Sequence, residues 1–83
     1  MVQQDVNVKI KVGLASNNLA LFIQKASRYS ADIFVEKGEL RANAKSLLGL
    51  LSLQIANNDT VKLIAEGDDE AQAIEDLAQY LSE

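Results

Sequence analysis

The reactive side chains of this protein are hydroxyls, carboxylates, amides and amines. Its 83 residues include no histidine and no cysteine. An imidazole base, a thiolate nucleophile, a disulfide and a Cys/His zinc site are therefore excluded. Asp68, Asp69 and Glu70 are adjacent and lack the spaced oxygen ligands of a calcium loop, and no nucleophile stands beside a base. We therefore expect that this protein is not an enzyme and that it binds no metal and no cofactor.

Ser46 is the hydroxyl with the most informative surroundings, because it precedes the leucine-rich run that ends at Ile55. We interpret this run as a short helix with Ser46 at its N-cap, a role that typically contributes ~1 kcal/mol. Leu50 and Leu53 are predicted to face the core. The other leucines of the run are predicted to be partly exposed as a partner site, unless the helix is more deeply buried than its length suggests. They are Leu47, Leu48 and Leu51.

The elements that must position this helix follow from periodicity. Alternation of apolar and polar residues predicts a first strand over Val6–Val12, and helical spacing then predicts a helix over about Asn17–Arg28. β-branched and aromatic residues predict three further strands. These strands are Ile33–Val35, Leu40–Asn43 and Val61–Ala65, the last apolar on both faces at Ile64.

A last helix is predicted after Gly67, with Asp69 and Gln72 at capping-box spacing. Its predicted buried stripe is Ala71, Ile74, Leu77, Ala78 and Leu81. The order βαββαβα is most simply satisfied by an α+β fold, one antiparallel sheet covered on one face by helices. We expect a single domain over residues 1–83.

The charge balance restricts partners and location. The net charge of −4 disfavours non-specific nucleic-acid binding. Residues 1–46 carry seven basic and four acidic side chains, so a weakly basic patch is one interpretation and a solvated acidic C-terminal helix the other. The candidate patch is Lys9, Lys11, Arg41 and Lys45. The N-terminus has no basic signal region and no apolar stretch approaches the ~20 residues of a membrane span, so we expect a cytoplasmic protein without membrane contact.

The element order and length resemble those of the HPr family, the small phosphocarriers of the bacterial sugar phosphotransferase system and their regulatory Crh paralogues. Asn43–Leu53 is similar to the family's regulatory serine and following helix, and Lys11-Val12-Gly13-Leu14 to the approach to its active-site loop. Phe34–Lys37 and Thr60–Leu63 also fit the family's pattern. The resemblance covers the whole chain and implies the open-faced β-sandwich of HPr.

The active-site loop departs from the family's pattern. Ala15, Asn17 and Asn18 stand where the family has its phosphorylated histidine, its phosphate-holding arginine and a proline. Ala15 has no atom that can bond phosphorus, and Asn17 lacks the charged fork of arginine. Ser16 has an oxygen, but a phosphoserine ester is a poor donor for relay. We therefore predict that this chain cannot relay phosphate through the loop.

The resemblance implies a regulatory function for the remaining features. It implies phosphorylation of Ser46 by HPr kinase/phosphorylase and recognition of Leu47, Leu48 and Leu51 by a catabolite-control regulator of the LacI type. Lys45 either helps to hold the phosphate and meet the partner or is only a solvated lysine. The alternative is a degenerate or engineered HPr scaffold without a partner. We expect a monomer or weak dimer, with exchange of the first strand as one route to the dimer.

Overall fold

The structure is a computed structural model that describes residues 1–9 and 16–83. Its elements follow the predicted order βαββαβα. They are β1 (Val2–Asn7), α1 (Ser16–Ala26), β2 (Asp32–Lys37), β3 (Leu40–Asn43), α2 (Leu47–Leu53), β4 (Thr60–Glu66) and α3 (Glu70–Ser82).

The four strands form one sheet in the order β1-β4-β2-β3, and every neighbouring pair is antiparallel. The helices pack on one face and leave the other open, so the predicted α+β open-faced sandwich is confirmed. β4 is central, and Val61, Leu63 and Ala65 on its helix-covered face belong to the core. Ile64 points to the opposite face, so the strand is apolar on both faces there as predicted, and its side chain is only 6% exposed.

The first strand is displaced from its predicted position. β1 ends at Asn7, where the chain leaves β4: the Val8 N–H donates to the Asp59 carbonyl and the Lys9 N–H to the Leu81 carbonyl, both at 2.8 Å. Val6 and Val8 are buried as predicted, whereas the predicted extension over 10–12 lies outside the described residues. The period-two pattern missed residues 2–5 because β1 is an edge strand whose polar residues are exposed on both faces.

Two predictions about α3 are wrong. Ala73 is fully buried in place of Ala71, which is exposed. Asp69 precedes the helix but its side chain makes no cap hydrogen bond. Its carboxylate instead accepts the backbone N–H groups of Ser30 and Ala31, so a long-range interaction replaces the predicted local capping box.

The other helices differ from prediction only at their ends. α1 begins at Ser16 and ends at Ala26, two residues before the predicted Arg28. α2 ends at Leu53 rather than Ile55, because Gln54 adopts a left-handed conformation (φ 51°, ψ 49°) and its N–H bonds the Leu51 carbonyl.

Candidate functional site

Ser46 is the N-cap of α2, as predicted. Its backbone is extended (φ −111°, ψ 116°) and its hydroxyl oxygen accepts the Gly49 N–H at 3.2 Å. Its carbonyl accepts the first intrahelical bond, from the Leu50 N–H at 3.0 Å. The half-buried Ser46 therefore places its hydroxyl over the first turn of the helix.

The leucines of α2 divide between two faces. Leu50 and Leu53 are each 2% exposed and belong to the core. The opposite face, here called the leucine surface, consists of Leu47, Leu48 and Leu51, which are 50%, 81% and 48% exposed. The predicted exposure is thus confirmed, and the alternative of a more deeply buried helix is wrong. Three partly exposed leucines on consecutive turns, adjacent to Ser46, form an apolar surface of the kind that binds partners.

The Lys45 side chain is hydrogen-bonded to the protein backbone, so it is not simply a solvated lysine, and its partners do not include the Ser46 hydroxyl. Its ammonium donates to the backbone carbonyls of Tyr29 at 2.7 Å and Ala31 at 3.0 Å. These acceptors lie in the segment between α1 and β2. Lys45 thus ties the turn that carries Ser46 to a distant part of the chain, which local sequence reasoning did not anticipate.

Asn43 is a positioning residue that sequence analysis missed. Its side-chain oxygen accepts the Lys45 N–H at 2.8 Å, and its carbonyl accepts the Ser46 N–H at 3.0 Å. The two bonds fix the turn between β3 and α2. An asparagine between a strand and a helix, where its side chain can accept the backbone N–H two residues on, is the sequence signal of such an Asx turn.

A second cluster holds the C-terminal end of α2. Lys37 Nζ donates to the Gln54 carbonyl at 2.7 Å and pairs with the Asp59 carboxylate at 2.8 Å. Asp59 also accepts the Ala56 N–H at 2.8 Å. The hydrogen bond from Lys37 and then that from Ala56 lower the pKa of the Asp59 carboxyl. Both ends of the helix are therefore fixed by lysines that bond backbone carbonyls.

The loop positions that depart from the family are only partly described. Ala15 and the side chain of Asn17 lie outside the described residues. The start of α1 is held by α3, because the Tyr80 hydroxyl donates to the Asn18 carbonyl at 3.1 Å. At the other end of α1, Tyr29 donates to Asp76 at 2.8 Å, and this bond to a carboxylate raises the pKa of the Tyr29 hydroxyl.

Two members of the predicted basic patch, Lys9 and Arg41, lie far apart. Lys9 follows β1 and Arg41 lies in β3, at opposite edges of the sheet. Lys9 contacts Asn58, whereas Arg41 pairs with Glu36 on the sheet. Lys11 lies outside the described residues. Lys9 and Arg41 therefore do not share an anion-binding surface.

A groove lies away from Ser46 in the described part of the chain. An open groove of about 750 Å³ lies between β1 and α3, remote from α2, with Val6, Ile74 and Ala78 among its lining residues. Within residues 1–9 and 16–83, no cluster of three acidic side chains is arranged to hold a metal ion. No helix in these ranges has the length and apolar character needed to cross a bilayer.

Comparison with known proteins places the chain in a family. The model of the PTS-HPr family, described as the PTS HPr component phosphorylation site, matches residues 2–83. The chain therefore belongs to the HPr family, which relates it to the sugar phosphotransferase system and catabolite repression.

Among individual relatives, the HPr-like protein Crh of Bacillus subtilis is 48% identical over 83 residues, which cover 100% of this chain and 98% of Crh. A crystal structure of phosphocarrier protein HPr from Bacillus anthracis superposes with a TM-score of 0.94 at 44% identity, covering 96% of this chain and 95% of that one. A crystal structure of the Bacillus subtilis Crh, described as a dimer with a swapping domain, superposes with a TM-score of 0.78 at 48% identity. The match covers 98% of this chain and 93% of that one.

Proposed function

We propose that this protein is a non-enzymatic, Crh-like regulator of the bacterial sugar phosphotransferase system and carbon catabolite repression. Phosphorylation of Ser46 switches it, and it does not relay phosphate through a histidine. One observation carries the proposal: Ser46 lies at the start of α2 beside the leucine surface, in a chain that has no histidine.

The position of Ser46 suits a reversible charge switch. In the kinase reaction its hydroxyl oxygen attacks the terminal phosphorus of ATP, its proton passes to a base on the kinase, and ADP leaves. The product adds about −1.5 to −2 charges at the N-terminal end of α2, where the helix dipole favours negative charge. Because the capping interaction uses an acceptor oxygen, and the phosphate supplies further acceptors, the modified residue can still cap the helix.

The first experiment incubates the protein with HPr kinase/phosphorylase and ATP. We expect the intact mass to increase by one phosphoryl group located on Ser46. The Ser46→Ala variant should gain nothing, whereas Ser52→Ala, which changes another serine of α2, should react like the unmodified protein. Absence of a mass increase on Ser46, beside an HPr that reacts in the same mixture, contradicts the proposal.

A second experiment tests the absence of relay. The protein is exposed to the general phosphotransferase enzyme and phosphoenolpyruvate, beside an HPr that accepts phosphate. We expect no acid-labile, base-stable phosphate on this chain, because Ala15 provides only a methyl group. Recovery of such a phosphate on the unmodified protein would overturn this part of the proposal.

The partner surface is tested by matched leucine substitutions. We propose that a LacI-type catabolite-control regulator binds the Ser46-phosphorylated chain through the leucine surface. Leu48→Ala should weaken binding about tenfold, which is about 1.4 kcal/mol. Leu40→Ala is the control, because Leu40 is also exposed (56%) but lies on β3. Equal affinities of the two variants in calorimetric titration argue against this surface.

A further inference from the structure

The segment between α1 and β2 is held by two side chains of opposite charge. The Lys45 ammonium donates to the carbonyl oxygens of Tyr29 and Ala31. On the other side, the Asp69 carboxylate accepts the N–H groups of Ser30 and Ala31, both at 2.9 Å. Four backbone groups within three residues therefore bond to one ammonium and one carboxylate.

The Lys45 ammonium can move without displacing its backbone. The Asn43 side chain and carbonyl hold the N–H groups of Lys45 and Ser46, independently of the lysine head group. The lysine side chain is a flexible four-carbon stem with a mobile point charge. A new acceptor near Ser46 can thus attract the ammonium while the turn stays in place.

Lys45 differs from nearby basic residues in what it contacts. Lys25, Lys37 and Arg41 each pair with a carboxylate, at 3.6, 2.8 and 3.6 Å. The Lys45 ammonium instead contacts neutral carbonyls. Hydrogen bonds between two charged groups are stronger than those to neutral acceptors, so Lys45 gains most from an anion placed beside it.

We propose that Lys45 is a latch that couples phosphorylation of Ser46 to the segment between α1 and β2. This inference rests on the proposed function. In the unmodified protein the Lys45 ammonium is hydrogen-bonded to the carbonyls of Tyr29 and Ala31. Phosphate on Ser46 draws the ammonium to its own oxygens, and the two carbonyls are released while the Asp69 bonds remain. The modification then alters a surface beyond α2, including the region where Tyr29 bonds α3 through Asp76.

Backbone nuclear magnetic resonance tests the latch. The carbonyl of Tyr29 shares a peptide group with the nitrogen of Ser30, and that of Ala31 shares one with the nitrogen of Asp32, so these nitrogens report loss of the lysine bonds. Phosphoserine is introduced at position 46 by chemical synthesis, which makes the test independent of any kinase. We expect the ¹⁵N resonances of Ser30 and Asp32 and the carbonyl ¹³C resonances of Tyr29 and Ala31 to shift on modification.

Substitutions separate the latch from a general electrostatic effect. In Lys45→Met the Ser30 and Asp32 resonances should already be displaced and should not shift further with phosphoserine. Lys45→Arg, which keeps the charge and donors, should retain the response. Lys37→Met, which removes a lysine bonded to the Gln54 carbonyl at the other end of α2, should retain it too.

The outcomes distinguish this inference from the proposed function. Unchanged Ser30 and Asp32 resonances in the phosphorylated protein, or equal shifts in Lys45→Met, overturn the latch. The carbonyl shifts are measured on the unsubstituted chain, so the test stands even if Lys45→Met fails to fold. A kinase that leaves Ser46 unmodified refutes the proposed function instead, while the shifts in the synthetic protein still decide the latch.

Discussion

At the scale of single residues, Ser46 shows how one hydroxyl can serve stability and regulation together. Its oxygen satisfies the Gly49 N–H, one of the unpaired donors at the start of α2. A seven-residue helix is too short to be stable by itself, so its end interactions and its two buried leucines hold it. A modification at this cap therefore acts where the helix depends most on local bonding.

The cap predicts a measurable loss of stability. Ser46→Ala removes the acceptor for the Gly49 N–H and should lower the free energy of unfolding by about 1 kcal/mol. Ser46→Asp keeps an acceptor there and should lose less. Ser52→Ala, at an exposed position, is the matched control and should stay within about 0.5 kcal/mol of the unsubstituted protein. Urea unfolding measures all three; equal stabilities of Ser46→Ala and Ser52→Ala would show that the cap is unimportant.

Sequence reasoning succeeded for residues with local partners and failed for those with distant ones. Ser46 bonds a group three residues away, so its cap followed from the sequence. The carbonyls that accept from Lys45 lie 14 and 16 residues away, and the N–H groups that donate to Asp69 lie 38 and 39 residues away, so no local pattern could identify these partners.

At the scale of elements, the buried and exposed faces of α2 could be predicted, because the helical spacing of its leucines separates them into two groups. In α3 the stripe was correct at Ile74, Leu77, Ala78 and Leu81 but wrong at its first member. Ala71 and Ala73 are equally small and apolar, so composition does not distinguish them. Only the packing of α3 against the sheet and α1 determines which alanine is buried.

The left-handed C-cap of α2 predicts a stabilising substitution. Gln54 is exposed and has φ 51°, a conformation that costs a residue with a Cβ about 1–2 kcal/mol. Gln54→Gly should raise the free energy of unfolding by about 0.5–1 kcal/mol after the greater freedom of glycine in the unfolded chain is included. Gln54→Ala retains the Cβ and should give no such gain. Chemical denaturation of both variants checks this, and a stabilising alanine would exclude relief of backbone strain as the cause.

Gly67 fixes the approach of the β4–α3 connection to the α1–β2 segment. It has φ 153°, and a Cβ there would lie 2.7 Å from the Cα of Ala31. Gly67→Ala should destabilise the protein by about 2–4 kcal/mol, because it combines backbone strain with a clash against backbone. Gly38→Ala shares the positive φ (61°) but meets nothing within 4 Å, and should cost about 1 kcal/mol. Thermal unfolding should rank the two variants in this order, and the reverse order would contradict the close approach.

At the scale of the whole molecule, the order of the elements along the chain could be predicted from the sequence, whereas the pairing of the strands in the sheet could not. Periodicity indicated four strands and three helices, but the arrangement β1-β4-β2-β3 depends on pairings between residues up to 63 positions apart, such as Val2 with Ala65. Local patterns cannot select such pairings. The resemblance to HPr supplied the open-faced sandwich as a whole, and the match of the family model over residues 2–83 supports that resemblance.

Acid should weaken the whole molecule through carboxylates that join separate elements. Hydrogen bonds from the backbone N–H groups of Ser30 and then Ala31 lower the pKa of the Asp69 carboxyl from 3.8. The hydrogen bond from Lys37 lowers the pKa of the Asp59 carboxyl. The Gly67 N–H lowers the pKa of Glu70 from 4.5. Because the pKa values are lower in the folded protein, the stabilisation is fully present above the unfolded-state values. It is lost as the pH falls through the folded-state values.

Thermal unfolding between pH 7 and pH 3 therefore tests the ties between elements. The Tm should vary little above pH 5 and fall below about pH 4.5. Asp69→Asn should have a lower Tm at neutral pH, since a neutral amide oxygen binds the two amides of the α1–β2 segment less well, and its deficit should shrink toward pH 3. Asp68→Asn removes the same charge at an exposed neighbour and should keep the pH dependence of the unsubstituted protein. A deficit of Asp69→Asn that is constant with pH would mean that Asp69 stabilises the fold by packing rather than by its ionised carboxylate.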